Sequence, residues 1–320
     1  MQSTSTEIRN PFAEEVAKGL SAKQKYISSK YFYDDEGSRL FQKIMELPEY
    51  YPTRAEMEIL TQQPTEIAAA LRFRGSFNII ELGAGDGLKT KELLRFLVQQ
   101  QADFTYIPID ISEEAMVHLR AGLASALPNL KVNPLVGDYF EVLEKPDIEH
   151  IPNLFLFLGG NIGNYEKGET LDLLHMLWER MNSGDRLLTG FDLRKNPDLI
   201  KKAYDDSQGV TRAFNLNLLH RMNRELGAEF RPETFDFYSY YNPYTGEVRS
   251  MLVSKTAQTV YIKELDQAFD FQENELIRTE LSKKYTLDEI ELLARESGFV
   301  SEQHFLDSNR YFTDSLWLKP

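Results

Sequence analysis

The chain of 320 residues contains no cysteine. That excludes disulfides, thiol nucleophiles and cysteine-based metal sites. Histidine is scarce as well. The five present, His118, His150, His175, His220 and His304, are scattered and show no metal-ligand spacing such as HxxxH or HExxH, so no metal is expected. Positive charge is short: 36 Lys and Arg face 50 Asp and Glu, for a formal net charge of -14. A surface this acidic disfavours a nucleic-acid backbone as partner, because phosphates require clustered cations. Long apolar runs are missing too, the longest being about five residues against the ~18 that span a bilayer. The opening MQSTSTEIRNPFAEE lacks the apolar core of a signal peptide. A cytoplasmic location without membrane attachment is therefore expected, with a small molecule as the ligand and a monomer as the working form. Neither internal repeats nor low-complexity segments occur. What is there, 42% apolar and 27% charged residues, suits one large globular domain or two ordinary ones.

The most informative stretch is Phe77–Gly87, FNIIELGAGDG. An apolar run, Ile79, Ile80 and Leu82, carries the acid Glu81 and ends in Gly83, Gly85 and Gly87. A helix-like pattern, Leu93-Leu94 and Phe96-Leu97, follows. Strand, tight turn and helix N-terminus in that order form the usual seat of a nucleotide-like cofactor in an open α/β sheet. A second unit repeats the logic. Phe104–Ile109 reads as a strand ending in Asp110, with Ser112 as the N-cap of the next helix and Glu113 and Glu114 in its first turn. Lys131–Val136 reads as a third strand ending Gly137-Asp138-Tyr139, and Asn153–Leu158 as a buried fourth ending GGNIGN. Thr170–Met181 is expected to be a helix closed by Gly184, and Arg186–Phe191 a fifth strand. Strands alternating with helices of this length imply a parallel sheet with right-handed crossovers.

The alternation stops near residue 199. Residues 199–285 hold a helical stretch rich in Asn and Arg, then period-two strands around Asn242–Gly246. It resumes with the helix Thr286–Glu296, Gly298 as its C′ residue, and a hairpin from Val300–Leu306 and Tyr311–Leu318. That hairpin would add an antiparallel strand to the sheet edge. The expected fold is α/β, a Rossmann-like, mostly parallel sheet over 55–198 and 286–320, with a smaller α+β lobe over 199–285 and 1–54. Ligand is expected outside the carboxyl ends of the strands, between the lobes.

The glycine spacing bears on the cofactor. A dinucleotide fold wants GxGxxG, and Leu88 stands where the third glycine would be. The pattern Glu81, Gly83, Gly85, Gly87 instead resembles the class I S-adenosylmethionine-dependent methyltransferases. The resemblance implies that the glycine turn wraps the methionine part of S-adenosylmethionine. It also implies that Asp110 accepts the ribose hydroxyls, a carboxylate offering two acceptor oxygens in one plane. Asp138 and Tyr139 would then meet the adenine.

A narrower resemblance covers nearly the whole chain. KYFYDDEGSRLFQKIMELPEYYPTRAE (30–56), FLGGNIGNY (157–165), AYDDSQGVTRAFNLNLL (203–219) and IRTELSKKY (277–285) resemble the histidine-specific Nα-methyltransferases of ergothioneine biosynthesis. The resemblance implies trimethylation of the α-amine of L-histidine to hercynine. By motif it places Tyr33 at the sulfonium and the reacting amine, as the catalytic residue. Gly83, Lys89, Asp110, Asp138 and Tyr139 would hold the cofactor. Tyr50, Gly159, Asn164 and Tyr204 would surround the amino acid, with Asn164 and Tyr204 on its carboxylate, and Glu280 and Ser282 would take the imidazole. Two residues apart on a strand, Glu280 and Ser282 face the same way. By themselves these residues also read blandly: tyrosines as packing in a chain with 16 of them, Asn164 as a turn residue, Glu280 and Ser282 as a solvated strand face.

Two positions depart from the family pattern. Ser250, or Met251 after a one-residue slip, stands near a pocket position usually held by methionine. Asn161 replaces a threonine. Either change bears on substrate choice or on the number of methyls. The alternatives are the same chemistry on tryptophan, tyrosine or a modified histidine, or fewer transfers. A dinucleotide oxidoreductase is disfavoured by Leu88, and a non-catalytic binding module by the retained Tyr33, Asp110 and Asn164.

Overall fold

A computed structural model describes residues 10–138, 142–143 and 151–320. The chain starts with helix α1 (Pro11–Ser21), capped by Asn10, whose side chain accepts from the amides of Phe12 and Ala13. Helix α2 (Asp35–Glu46) is capped by Asp34 in the same way. Then come α3 (Tyr51–Gln62) and α4 (Pro64–Leu71). The α/β alternation runs through β1 (Phe77–Leu82), α5 (Thr90–Gln99), β2 (Phe104–Asp110), α6 (Glu113–Ala126), β3 (Lys131–Val132), β4 (Leu135–Val136), β5 (Asn153–Phe157), α7 (Lys167–Arg180) and β6 (Arg186–Asp192). Helices α8 (Pro197–Tyr204) and α9 (Val210–Leu226) follow, then strands β7 (Phe235–Asn242), β8 (Glu247–Ser254), β9 (Gln258–Ile262), β10 (Gln267–Phe271) and β11 (Leu276–Lys283). Helix α10 (Leu287–Glu296) and strands β12 (Val300–Leu306) and β13 (Phe312–Leu318) end the chain.

Residues up to Tyr50 with Asn196–Ser282 form one compact unit, and Tyr51–Lys195 with Lys283–Pro320 form another. The larger unit is built on a sheet of order β12-β13-β6-β5-β1-β2-β3, with β4 also pairing to β2. The pairs from β6 through β3 are parallel, while β13 runs antiparallel to β6 and to β12. The C-terminal hairpin thus adds β13 as the antiparallel strand expected at the sheet edge, and β12, antiparallel to β13, runs in the same direction as β6. The central strands are buried on both faces. Ile79, Leu154, Leu156 and Leu188 pack to one side with α3–α6, and Ile80, Phe155, Phe157 and Leu187 to the other with α7 and α10.

Two elements differ from the sequence reading. The single strand expected over Lys131–Val136 is two short ones, because Pro134 has no N–H for the ladder and interrupts it. Helix α7 starts at Lys167, three residues before Thr170, because Glu166 and Glu169 form a reciprocal cap.

The smaller unit packs α9 against a three-stranded sheet, β11-β8-β7. Phe214, Leu218, Met222 and Leu226 form the apolar stripe of α9 and meet Phe12, Val16, Phe32, Phe235, Leu252 and Ile277. Among the described residues no helix is long and apolar enough to cross a membrane.

One buried node lies in the larger unit beside all three points where the chain passes between units. Asp192 accepts from Tyr51 OH at 2.9 Å, from Lys284 Nζ at 2.8 Å and from Lys195 Nζ. Burial pushes the Asp192 carboxyl up, but the two lysines overcome this and hold it below its ordinary range.

Candidate active site

The glycine turn of the larger unit is shaped by its backbone. Gly83, Gly85 and Gly87 have φ of +66°, +53° and +62°, the left-handed region that side chains disfavour. A Cβ on Gly85 would meet nothing within 4 Å, so this part of the turn presents open backbone. A Cβ on Gly87 would strike Leu119 Cδ1 at 2.2 Å. The close approach to a helix that GxGxxG assigns to its third glycine therefore falls here one residue earlier than Leu88.

Two carboxylates brace the turn. Gly83 and Ala84 donate their N–H groups to Ile109 O at 2.9 and 3.2 Å, which ties the turn to the end of β2. Asp110 comes next. Its Oδ2 accepts from Gly85 N–H and its Oδ1 from Ser112 N–H, both at 3.0 Å. Each oxygen is thus oriented by the backbone and keeps a further lone pair for a ligand. Glu81 is an internal brace. It is buried and accepts from Thr90 Oγ1 at 2.5 Å and from Tyr106 OH. Burial pushes its carboxyl up to about 7 against the pull of those two hydroxyls and of Lys89.

Lys89, at the start of α5, bonds Glu56 of α3 through its ammonium. The second oxygen of Glu56 accepts from Gly159 N–H at 2.7 Å, just beyond β5. A Cβ on Gly159 would lie 3.4 Å from both Lys89 Nζ and Asn161 Nδ2, and one on Gly83 would lie 4.0 Å from Asn161 Nδ2. Gly83, Lys89, Gly159 and Asn161 therefore converge outside the carboxyl ends of β1 and β5. Asn164 closes the short 3-10 turn Asn161–Asn164 and is half-buried. Asp138 is exposed beyond β4. Tyr139 lies outside the described residues.

The smaller unit assembles its candidates by side chain. Tyr33 is 42% exposed and stands edge-on to Phe41 and Phe214, with ring centroids 5.6 and 5.9 Å away. Tyr50 is edge-on to Phe41 at 6.1 Å and to Tyr204 at 6.3 Å. Tyr204 OH and Ser282 Oγ share a buried hydrogen bond of 2.8 Å. On β11, Glu280 accepts from Ser250 Oγ of β8 at 3.3 Å, while its neighbour Thr279 donates to Asn215 of α9. Ser250, not Met251, is thus the residue that meets Glu280. Tyr33, Phe41, Tyr50, Tyr204 and Ser282 form one contiguous path, with Glu280 two residues back along its strand.

The sequence reading missed Glu56 and Asp314, both wholly buried. The available signal was an acid on an otherwise apolar face: Glu56 among Ala55, Ile59 and Leu60, and Asp314 in the buried strand FTDSLWL. Among the described residues no group of three His, Asp or Glu side chains is placed to hold a metal ion.

Comparison with known proteins follows the same lines. A family model described as "Histidine-specific methyltransferase, SAM-dependent" matches residues 12–319. A histidine N-alpha-methyltransferase of Mycolicibacterium smegmatis is 36% identical over 94% of this chain and 93% of its own. Ergothioneine biosynthesis protein 1 of Schizosaccharomyces pombe is 31% identical over 92% of this chain, which spans 40% of that longer protein. A 4-dimethylallyltryptophan N-methyltransferase of Claviceps purpurea is 27% identical over 92% of this chain and 91% of its own.

Proposed function

The chain belongs to the histidine-specific, S-adenosylmethionine-dependent methyltransferase family, and we propose that it places three methyl groups on the α-amine of L-histidine, giving hercynine for ergothioneine biosynthesis. In this reading the larger unit holds the cofactor. Gly83 and Lys89 take its methionine end, Asp110 the ribose hydroxyls, and Asp138 and Tyr139 the adenine. Asp110 fits that task, since both its oxygens are already aimed by backbone donors. Tyr50, Gly159, Asn164 and Tyr204 surround the amino acid, and Glu280 and Ser282 hold the imidazole. When bound, the cofactor supplies a methyl activated on a sulfonium, whose charge also disfavours a protonated amine beside it.

The remaining work is alignment and exclusion of water. The Tyr33 hydroxyl accepts a hydrogen bond from the amine and directs its lone pair. A phenol titrates near ~10, too high for a strong base at neutral pH, so its role is orientation. As methyls accumulate the nitrogen loses donors, and the faces of Tyr33, Tyr50 and Tyr204 stabilise the resulting cation.

What supports histidine most directly is a family match over residues 12–319, beside Glu280 and Ser282 at the positions where the sequence resemblance puts the imidazole. The imidazole offers donors to that carboxylate, and a site built for such bonds rejects side chains that leave it unpaired. Calorimetry with S-adenosylhomocysteine and each of the twenty amino acids tests the reading. Histidine should bind, and mass spectrometry should count three methyls in the product. Binding of another amino acid in place of histidine would overturn it. A second reading keeps the chemistry and changes the amino acid. Ser250 at Glu280, Asn161 beside Gly159, and a relative named for a tryptophan derivative favour it.

A further inference from the structure

A helix packed on a sheet buries apolar residues, yet α3 buries Glu56 in the middle of its apolar face. A carboxylate there is costly unless each oxygen is paired, and both are. One oxygen holds the Lys89 ammonium and the other the Gly159 N–H at 2.7 Å. The slot is shaped for it: a Cβ on Gly190 of β6 would lie 2.4 Å from Glu56 Oε1. Lys89 is 20% exposed in its side chain while Glu56 is 0% exposed, so the ammonium extends from a buried anchor towards the surface of the unit.

The surroundings decide where the negative charge resides. Asp314 of β13 stands opposite Gly190 in the strand register and is wholly buried. Burial first, then the charge on Glu56, pushes its carboxyl well up. Glu81 also faces this cluster, its carboxyl raised by burial. The charge of Lys89 pulls against the upward shift of both Asp314 and Glu81, and its hydrogen bond goes to Glu56. A buried ion pair is weak evidence for stability, since apolar residues of similar size often do as well. Its location favours a positional role, because its two partners sit on two different ligand-facing loops.

We propose that Glu56 is a positioning residue that links the cofactor loop to the loop after β5, by holding the Lys89 ammonium on one oxygen and the Gly159 amide on the other. The inference rests on the reading above, in which Lys89 meets the cofactor and Gly159 the amino acid. Lys89 has three donors, and Glu56 takes one and aims the others outward. Gly159, with φ of +84°, depends on the same carboxylate for its amide. Loss of the charge should loosen both loops in one step.

The test compares Glu56→Gln, Lys89→Met, their double variant, Gly190→Ala and Asp314→Asn with the wild-type enzyme. Affinity for S-adenosylhomocysteine, KM for each substrate, kcat and melting temperature are measured for each. Glu56→Gln keeps the shape and an acceptor for Gly159 but releases Lys89. It should weaken S-adenosylhomocysteine binding by about tenfold to a hundredfold, with a smaller change in kcat. The double variant should be no weaker than the weaker single one, since both break the same pair. Gly190→Ala crowds the carboxylate without removing it and should raise KM for both substrates. Asp314→Asn, matched in shape to a neutral acid, should leave both KM values unchanged. Unaltered affinity in Glu56→Gln and Gly190→Ala, with only a lower melting temperature, would make Glu56 a packing residue and overturn the proposal. A loss in Asp314→Asn equal to that in Glu56→Gln would do the same. Should Glu56→Gln not fold, Gly190→Ala decides alone. Failure of the wild-type enzyme to bind histidine would instead sink the functional reading, while the S-adenosylhomocysteine affinities still judge Glu56.

Discussion

The larger unit shapes its candidate site residues largely through backbone, and the smaller unit brings its own together through side chains. In the larger unit, Gly83, Gly85, Gly87 and Gly159 all take positive φ, and the carboxylates nearby serve to hold main-chain amides in place. In the smaller unit the path runs through rings and hydroxyls, Tyr33, Phe41, Tyr50, Tyr204 and Ser282, drawn from three separate stretches of chain. A backbone surface suits a ligand whose form never changes. Side chains can be exchanged one at a time without disturbing the fold, which suits the substrate side of the site in the proposed function.

The contrast can be broken most decisively at Asp110. Asp110→Ala removes both oxygens that orient Gly85 and Ser112. Hydrogen bonds to a charged group contribute ~1.5–3 kcal/mol each, so affinity for S-adenosylhomocysteine should fall by about 100-fold or more. Calorimetry reads this directly, and an unchanged affinity would show that the turn does not hold the cofactor.

The next effect is on the other half. Tyr33→Phe keeps the ring contacts with Phe41 and Phe214 and removes only the hydroxyl. Its kcat should drop by roughly 10- to 100-fold while S-adenosylhomocysteine affinity stays as it was. Methylation at the wild-type rate through every step would remove Tyr33 from the chemistry.

A third effect concerns the brace beneath the turn and appears in stability rather than in binding or rate. Glu81 titrates at about 7 when folded, against an ordinary value of 4.5. Between those values the folded chain holds a proton that the unfolded chain has lost, so this group makes stability fall as pH rises through the window. Glu81→Gln lacks that slope. It should melt at the same temperature as the wild type below pH 4.5 and progressively higher above it. The gain should reach about 3 kcal/mol once the folded carboxyl has ionised. Parallel melting curves across the range would show that Glu81 is not a buried neutral acid.

Much of the larger unit was legible because its elements are local. The β1 strand, the glycine turn, Ser112 as a cap and the β12–β13 hairpin each announce themselves within about ten residues. Where local reading failed, at Pro134 and at the start of α7, one residue changed the outcome: a missing N–H in one case and an acidic cap in the other. Glu56 and Asp314 were illegible for a different reason. An acid on an apolar face says only that something must pair with it or neutralise it, and the partners lie far off in sequence.

By itself the sequence determined the α/β pattern, the cofactor turn and the family, since strand period, glycine conformation and extended motifs are properties of contiguous chain. The tertiary structure alone decided that Ser250 rather than Met251 meets Glu280, and that Tyr204 holds Ser282. It also decided that one buried carboxylate joins Lys89 to Gly159. Each of these depends on the register or packing of segments 30 to 103 residues apart, and no local preference encodes such a distance.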